Sequence, residues 1–193
     1  MAIVVPKDDK QLGVTIKDES SFYPKEVHLC NHSSPQQNTP CNNQGVTATK
    51  QYSCVHLTSQ AYAGVNYDEI ALKDQKLYFE NDPYYHDIDK HMQPGVKNMV
   101  AMTDKLERSW SKSASTTMEV FWKYVATYNG VLRVYPSPSI SHELEYMDMD
   151  WFSKCVNNAE DVDVILSTPR YDHFTGNNVV ISVFTNLIQT GQK

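Results

Sequence analysis

Apolar and polar residues alternate in two places in the second half of the chain, and a polar turn interrupts each alternation. In residues 121–136, apolar and β-branched residues flank Asn129-Gly130. Because Asn-Gly tolerates positive φ at both central positions of a two-residue turn, this pattern predicts a β-hairpin. Residues 165–184 have the same form around Thr175-Gly176-Asn177, which predicts a second hairpin.

A helical pattern precedes the first hairpin. Apolar residues recur at helical spacing within residues 94–111, and Pro94 suits the first turn of a helix. Residues 117–127 then alternate with a period of two, which predicts a strand. A short helix is expected near Trp151, between the hairpins. The predicted fold class is therefore α+β, with a long helix packed on an antiparallel sheet.

The first quarter of the chain has a different composition. Residues 1–50 are rich in Ser, Asn, Gln, Pro and Thr, most clearly at 33–40. Such a segment buries too little apolar area to offset the entropy lost on ordering. We therefore expect an irregular N-terminal segment at 1–50, with one short strand at 12–16, followed by a domain at 53–187.

Charge and hydropathy exclude two classes of partner. The net charge of −6 and the absence of a cluster of Lys and Arg argue against nucleic acid binding. No apolar stretch approaches the roughly 20 residues that span a bilayer. Residues 1–10 lack an apolar core, so we expect neither a signal peptide nor a membrane anchor there.

Four cysteines bear on metal binding and on the redox compartment: Cys30, Cys41, Cys54 and Cys155. They lack Cys-x-x-Cys spacing and nearby zinc-ligand histidines, so structural zinc is not expected. Two disulfides in any of three pairings, or four reduced thiols in a cytosolic protein, remain open. The sequon at Asn31 predicts a glycan and favours an extracellular, disulfide-bonded protein.

Two clusters of acidic or histidine side chains are candidates for metal binding. His86 and His91 are five residues apart, a spacing that neither a helix nor a strand places on one face, so a solvated loop or helix start is favoured over metal. Asp148 and Asp150 would share one face of a strand, but no third ligand or glycine turn completes a calcium loop, so a polar loop is favoured over a calcium site.

Enzyme signatures are missing from the sequence. It contains no Gly-x-Ser-x-Gly elbow, no phosphate-binding glycine loop and no dinucleotide fingerprint among its seven glycines. We therefore expect no catalytic residues, no metal and no cofactor. An enzyme with an unrecognised site is the least favoured hypothesis.

Three segments resemble one family. The run Trp-Lys-Tyr-Val-Ala-Thr-Tyr-Asn-Gly-Val-Leu-Arg-Val-Tyr-Pro at 122–136 is similar to a signature of the extracellular Cache region in voltage-gated calcium-channel alpha-2/delta subunits and their Cache-domain-containing relatives. Residues 171–182 resemble the usual Cache ending, and residues 53–62 resemble the cysteine-containing segment before the long helix. The resemblance covers 53–186 and implies a PAS-like extracellular domain.

The resemblance also implies a ligand site. In ligand-binding members a Tyr, an Arg two residues before a Trp-Tyr pair, and a later Asp hold an amino acid through its carboxylate and ammonium groups. The matching ligand-binding candidates here are Tyr146, Trp151, Phe152 and Asp172. Met149 stands at the position of the Arg, so a cationic amine suits this set better than an amino acid.

Three hypotheses for function follow. The first is a non-enzymatic extracellular Cache-type module of an alpha-2/delta-like membrane-associated protein, which acts on a membrane-protein partner such as a channel subunit. The second is a sensor of a small amine or amino-acid-like ligand. The third is the enzyme with an unrecognised site. The aspartate- and serine-containing metal motif of the von Willebrand A domain, which those subunits carry inside this region, does not occur here.

Overall fold

The computed structural model describes residues 2–5, 22–32, 52–64, 70–112, 122–141, 143–157, 164–171, 179–180 and 183–186. Its strands are β1 (Ala2–Val5), β2 (Asn31–His32), β3 (Cys54–Leu57), β4 (Lys123–Thr127), β5 (Val131–Tyr135), β6 (Ser139–Ile140), β7 (Ile165–Leu166), β8 (Arg170–Tyr171), β9 (Val179–Val180) and β10 (Val183–Asn186). Its α-helices are α1 (Leu72–Phe79), α2 (Val96–Lys112) and α3 (Asp150–Asn157), and 3₁₀ turns occupy Ser59–Ala61, Pro83–His91 and Tyr146–Asp148. The fold class is mixed α+β, as the hydrophobic pattern predicts.

A six-stranded sheet in the order β3-β5-β4-β1-β10-β7 is the centre of the fold. Its pairs are antiparallel except that β1 runs parallel to both β4 and β10. The polar composition of residues 1–50 predicts an irregular segment, whereas residues 2–5 of it form β1. Ala-Ile-Val-Val is a continuous apolar run, which is typical of a parallel strand in the interior of a sheet.

The first predicted hairpin is confirmed, but its predicted two-residue turn is wrong. Strands β4 and β5 pair with Lys123 opposite Tyr135 and Ala126 opposite Leu132. A three-residue loop at 128–130 joins them, and Gly130 alone in it has positive φ, at 85°. The conformation that needs glycine thus falls at the last loop position, as in hairpins whose turn ends in a left-handed residue.

The second predicted hairpin is represented by two antiparallel pairs, β7 with β10 and β8 with β9. Its predicted turn at Thr175-Gly176-Asn177 lies outside the described residues, as does the strand expected at 12–16. The short helix expected near Trp151 is confirmed as α3.

Both faces of the central hairpin are buried, each by a different helix. Helix α2 confirms the helix predicted at 94–111; it begins after a turn at Pro94 and Gly95 and covers one face. Side chains of that face alternate along the strands with those of the opposite face, where α3 packs. The central hairpin therefore lies between two hydrophobic clusters, which explains why β5 is buried throughout.

The N-terminal strap, defined here as residues 22–30, packs beside α1 and α2. Tyr23 donates to Asn98 of α2 at 3.3 Å, and Val27 N donates to Glu80 at the end of α1 at 2.8 Å. The end of the strap runs beside β3, where Cys30 N donates to Val55 O at 2.9 Å and Val55 N donates to His28 O at 2.8 Å. A disulfide between Cys30 and Cys54 fixes the same end. This pair confirms one of the cross-links considered from the sequence. Cys41 lies outside the described residues, and Cys155 is buried on the inner side of α3.

Candidate functional site

Three of the four predicted ligand-binding residues form one aromatic cluster. Tyr146 belongs to a 3₁₀ turn, and Trp151 and Phe152 lie in the first turn of α3. The ring centroids are 6.2 Å apart for Tyr146 and Trp151, 5.3 Å for Tyr146 and Phe152, and 5.8 Å for Trp151 and Phe152. The turn and the helix start therefore bring side chains that are close in sequence onto one face.

The sheet closes this cluster from below. Tyr124 of β4 meets Trp151 edge-on at 5.6 Å, and Tyr128 of the hairpin loop meets Phe152 at 5.5 Å. Tyr146, Trp151 and Phe152 are only 1%, 5% and 4% exposed. Each ring thus packs against other rings, as in a hydrophobic core.

Met149, which the Cache resemblance aligns with a ligand-binding Arg, contacts Trp151. The Trp151 indole Nε1 donates a hydrogen bond to Met149 Sδ at 3.2 Å. The Met149 carbonyl oxygen accepts from Phe152 N at 3.0 Å, which helps to start α3. The indole donor, which would otherwise be available to a ligand, is therefore directed at a side chain of the same loop.

The Tyr146 hydroxyl ties the cluster to the first hairpin. It donates to Thr127 O at 2.5 Å, and Val131 O lies 3.3 Å away. Burial raises the pKa of Tyr146 well above its ordinary value of 10.0, although the contacts with Thr127 oppose the rise. The hydroxyl therefore stays protonated over the physiological range and acts as a donor to the hairpin.

The remaining sequence candidates are dispersed. Asp172 lies outside the described residues. Asp148 and Asp150 are exposed at a 3₁₀ turn and a helix start, so the strand face considered as the less favoured alternative is not formed, because the local chain is helical. His86 is exposed within a 3₁₀ helix. Asn31 is exposed in β2, next to the disulfide.

Within the described ranges, no group of three or more His, Cys, Asp or Glu side chains could hold a metal ion. Within the same ranges, no helix is both long and apolar enough to cross a bilayer.

A buried polar network around Arg133 was not predicted from the sequence. The guanidinium is 1% exposed and donates from Nε to Thr103 Oγ1 at 3.1 Å, from Nη1 to Ser53 Oγ at 2.9 Å, and from Nη2 to Val100 O at 2.8 Å. Arg133 thereby connects β5 both to α2 and to the residue before β3. The sequence singles out Arg133 only because it lies in the segment 122–136 that resembles the Cache signature.

Two carboxylates accompany this buried cation. Asp104 Oδ1 lies 3.3 Å from Arg133 Nη1, and Glu107 Oε2 accepts from Ser53 N at 2.8 Å and from Ser53 Oγ at 2.5 Å. Burial lowers the pKa of Arg133 to about 10, while both carboxylates oppose that change. Burial also raises the pKa of Asp104, and Arg133 opposes that rise. Arg133 is therefore charged at neutral pH.

The Arg133 network is the floor of a groove of about 900 Å³. The strap forms one wall of this groove, and the face of α2 that carries Asp104, Lys105 and Arg108 forms the other. Tyr52 stacks on His28 with ring centroids 4.1 Å apart at one edge. No motif predicts this groove because its two walls, the strap and α2, are about 80 residues apart along the chain.

The chain matches no protein-family model, and no curated protein shows significant similarity to it.

Proposed function

We propose that this chain is a non-enzymatic, extracellular Cache-type module of an alpha-2/delta-like membrane-associated protein, and that it acts by contact with a membrane-protein partner such as a channel subunit. The proposal starts from the resemblance of residues 122–136, 171–182 and 53–62 to Cache segments. A helix packed on a mostly antiparallel sheet is compatible with it.

The observation that carries the choice of protein contact over ligand sensing is the packing of the aromatic cluster. Tyr146, Trp151 and Phe152 are buried against one another and against Tyr124 and Tyr128. Met149 accepts the indole hydrogen bond where a ligand-binding domain has its Arg. A small molecule would have to displace these contacts before it could reach the rings.

The extracellular assignment has separate support. The Cys30–Cys54 disulfide is of the kind that persists in oxidising compartments, and the Asn31 sequon beside it is exposed. Protein made through a secretory pathway should therefore carry the disulfide and a glycan at Asn31. Peptide mapping by mass spectrometry under non-reducing conditions measures both.

The direct test of function is retention on cells. The purified, secreted chain is added to cells that display the pore-forming subunit of a voltage-gated calcium channel and to otherwise identical cells that lack it. We expect saturable retention only on the first, measured with a fluorescent label. Equal retention on both cell lines, or none on either, would reject a channel subunit as the partner.

A control separates the module from a sensor. The variant Trp151→Phe keeps an aromatic ring but removes the indole donor, and it should retain binding to the same cells once its folding is verified by circular dichroism. Channel binding that depends on an added amino acid or amine would instead favour the sensor hypothesis.

A further inference from the structure

The groove between the strap and α2 differs from the aromatic cluster in being open to solvent and charged. Asp104, Lys105 and Arg108 lie on one face of α2, since residues three and four apart share a helix face. Lys105 and Arg108 are exposed, as is Lys25 across the groove, whereas Asp104 and Glu107 are half-buried. The groove therefore has two carboxylates at its base, and its rim carries three cations and one further carboxylate, the exposed Glu26, which lies 3.8 Å from His28. Lys105 Nζ also lies 4.7 Å from the centroid of the Phe22 ring.

The two carboxylates at the base each contact a neighbour in the chain through one oxygen. Asp104 Oδ1 faces Arg133, and Glu107 Oε2 accepts both donors of Ser53. Asp104 and Glu107 lie near one buried guanidinium, so these three groups together carry one excess negative charge, which Arg108 partly offsets at Asp104. An added cation would relieve this excess, and the half-buried position would strengthen its attraction to Asp104.

The length of the groove limits what it can hold. From Ala101 to Arg108 the helix advances by roughly 10 Å, at about 1.5 Å per residue. An extended chain covers that distance in about three residues, at roughly 3.3 Å each. Alternate side chains of such a segment point to opposite sides, so one can reach the base while its neighbours meet the rim.

We infer that this groove docks an extended segment of a partner protein in which a basic side chain lies between acidic ones. The basic side chain pairs with Asp104 and Glu107, and the acidic neighbours pair with Lys105, Arg108 and Lys25. The exposed face of Tyr52, held by its stacking on His28, packs against the stem of the basic residue. This inference rests on the proposed function, because it supplies the surface through which the module would hold its partner.

The test begins with an unbiased peptide selection. Random heptapeptides displayed on phage are selected on the immobilised full chain, and the enriched sequences are synthesised and titrated by calorimetry. We expect enrichment of Arg or Lys flanked by Asp or Glu. Selection on the Lys105→Glu/Arg108→Glu variant should instead yield basic flanking residues, because the rim has changed sign.

Affinities of the variants complete the test. The Lys105→Glu/Arg108→Glu variant, called the rim variant, should bind the peptides enriched on the wild-type chain at least tenfold more weakly. Tyr52→Ala should weaken the binding of these peptides by a smaller factor. Lys112→Glu, an exposed change on the same helix outside the groove, is the matched control and should leave the Kd unchanged. Enriched peptides without this charge order, or an equal Kd for the rim variant and the wild type, would overturn the inference.

Competing occupants give different results. Free arginine or glutamate that binds as tightly as the peptides would identify a small-molecule site and overturn the inference. Dimers that form with increasing protein concentration and are absent in the rim variant would identify a second copy of the chain as the occupant and would also overturn the inference.

The inference and the proposed function can fail separately. If the rim variant loses the peptides but keeps its retention on channel-displaying cells, the groove is not the partner site, whereas the proposed function stands. If wild-type protein is not retained on those cells but binds the peptides with the expected charge order, the groove inference stands and the channel partner is rejected.

Discussion

Tyr146 illustrates how a residue expected at a ligand site serves the fold. Its hydroxyl donates to Thr127 O at the end of β4, and its ring packs on Trp151 and Phe152. A ligand-binding Tyr would direct its hydroxyl toward open space. The sequence places Tyr146 correctly near Trp151, but it does not specify the carbonyl that the hydroxyl meets.

Tyr146→Phe should lower the free energy of unfolding by about 1–2 kcal/mol at neutral pH, because the buried carbonyl loses its donor. Denaturant unfolding followed by fluorescence measures the change. Tyr84→Phe is the matched control, since Tyr84 is 90% exposed and should have no effect. Equal stability of Tyr146→Phe and wild type would contradict the assigned role.

The same hydroxyl predicts a dependence on alkaline pH. Burial raises the pKa of Tyr146 above 10.0, so the folded state keeps this proton while the unfolded chain loses it. The free energy of unfolding should therefore be unaffected by this group below about pH 10 and should fall as pH rises above that value. Tyr146→Phe removes this contribution and should make the fall less steep. Some fall should remain, because the pKa values of Tyr78 and Tyr128 are also raised. Identical slopes for the two proteins would contradict this account.

Arg133 is the second residue whose role depends on tertiary structure. Arg133→Met should lower the free energy of unfolding by about 3–5 kcal/mol, because Asp104 and several buried acceptors lose their partner. Denaturant titration measures the loss. Arg108→Met, an exposed change, should stay within about 0.5 kcal/mol of wild type. A neutral Arg133→Met would show that the network does not stabilise the fold.

At the scale of elements, the central hairpin was predictable and its loop was not. Alternation of apolar residues around Asn129-Gly130 marks two paired strands. Gly130 is also approached closely by the segment 58–61, because a Cβ on it would lie 2.5 Å from Ala61 N and 2.7 Å from Thr58 Oγ1. That contact joins residues about 70 positions apart, so no local pattern contains it.

Gly130→Ala tests this contact. We expect a loss of at least about 2 kcal/mol, from the left-handed backbone together with the clash. Gly64→Ala is the control, since Gly64 also has positive φ but no atom within 4 Å of an added Cβ, and it should lose only about 1 kcal/mol. Equal losses for the two variants, measured by thermal unfolding, would show that the close approach is unimportant.

The other elements differ in the same way. Helix α2 and the short helix α3 are predictable because their own residues have the required spacing. Strand β1 is four residues long and lies in a segment whose overall composition is polar, so a window over that segment conceals it. The groove was not predictable because its charged residues meet only when the strap, β5 and α2 assemble.

At the scale of the whole molecule, the Cys30–Cys54 disulfide joins the strap to the sheet across 24 residues. Closing a loop of this length restrains the unfolded chain, so the double variant Cys30→Ala/Cys54→Ala should lose about 3 kcal/mol of unfolding free energy. Thermal unfolding with and without a reductant measures this. The reductant should destabilise wild type and leave the double variant unchanged. A wild type insensitive to complete reduction of this bond would contradict the strap's contribution.

The central claim for the whole molecule is that the aromatic cluster around Trp151 is a closed core and that the module works through protein contacts. The most direct test is the melting temperature of the folded chain in the presence of saturating amino acids and biogenic amines, since any ligand specific for the folded state must raise it. We predict no shift that Asp172→Ala abolishes. A concentration-dependent rise that Asp172→Ala abolishes would contradict the claim and establish a ligand site at Tyr146, Trp151 and Phe152.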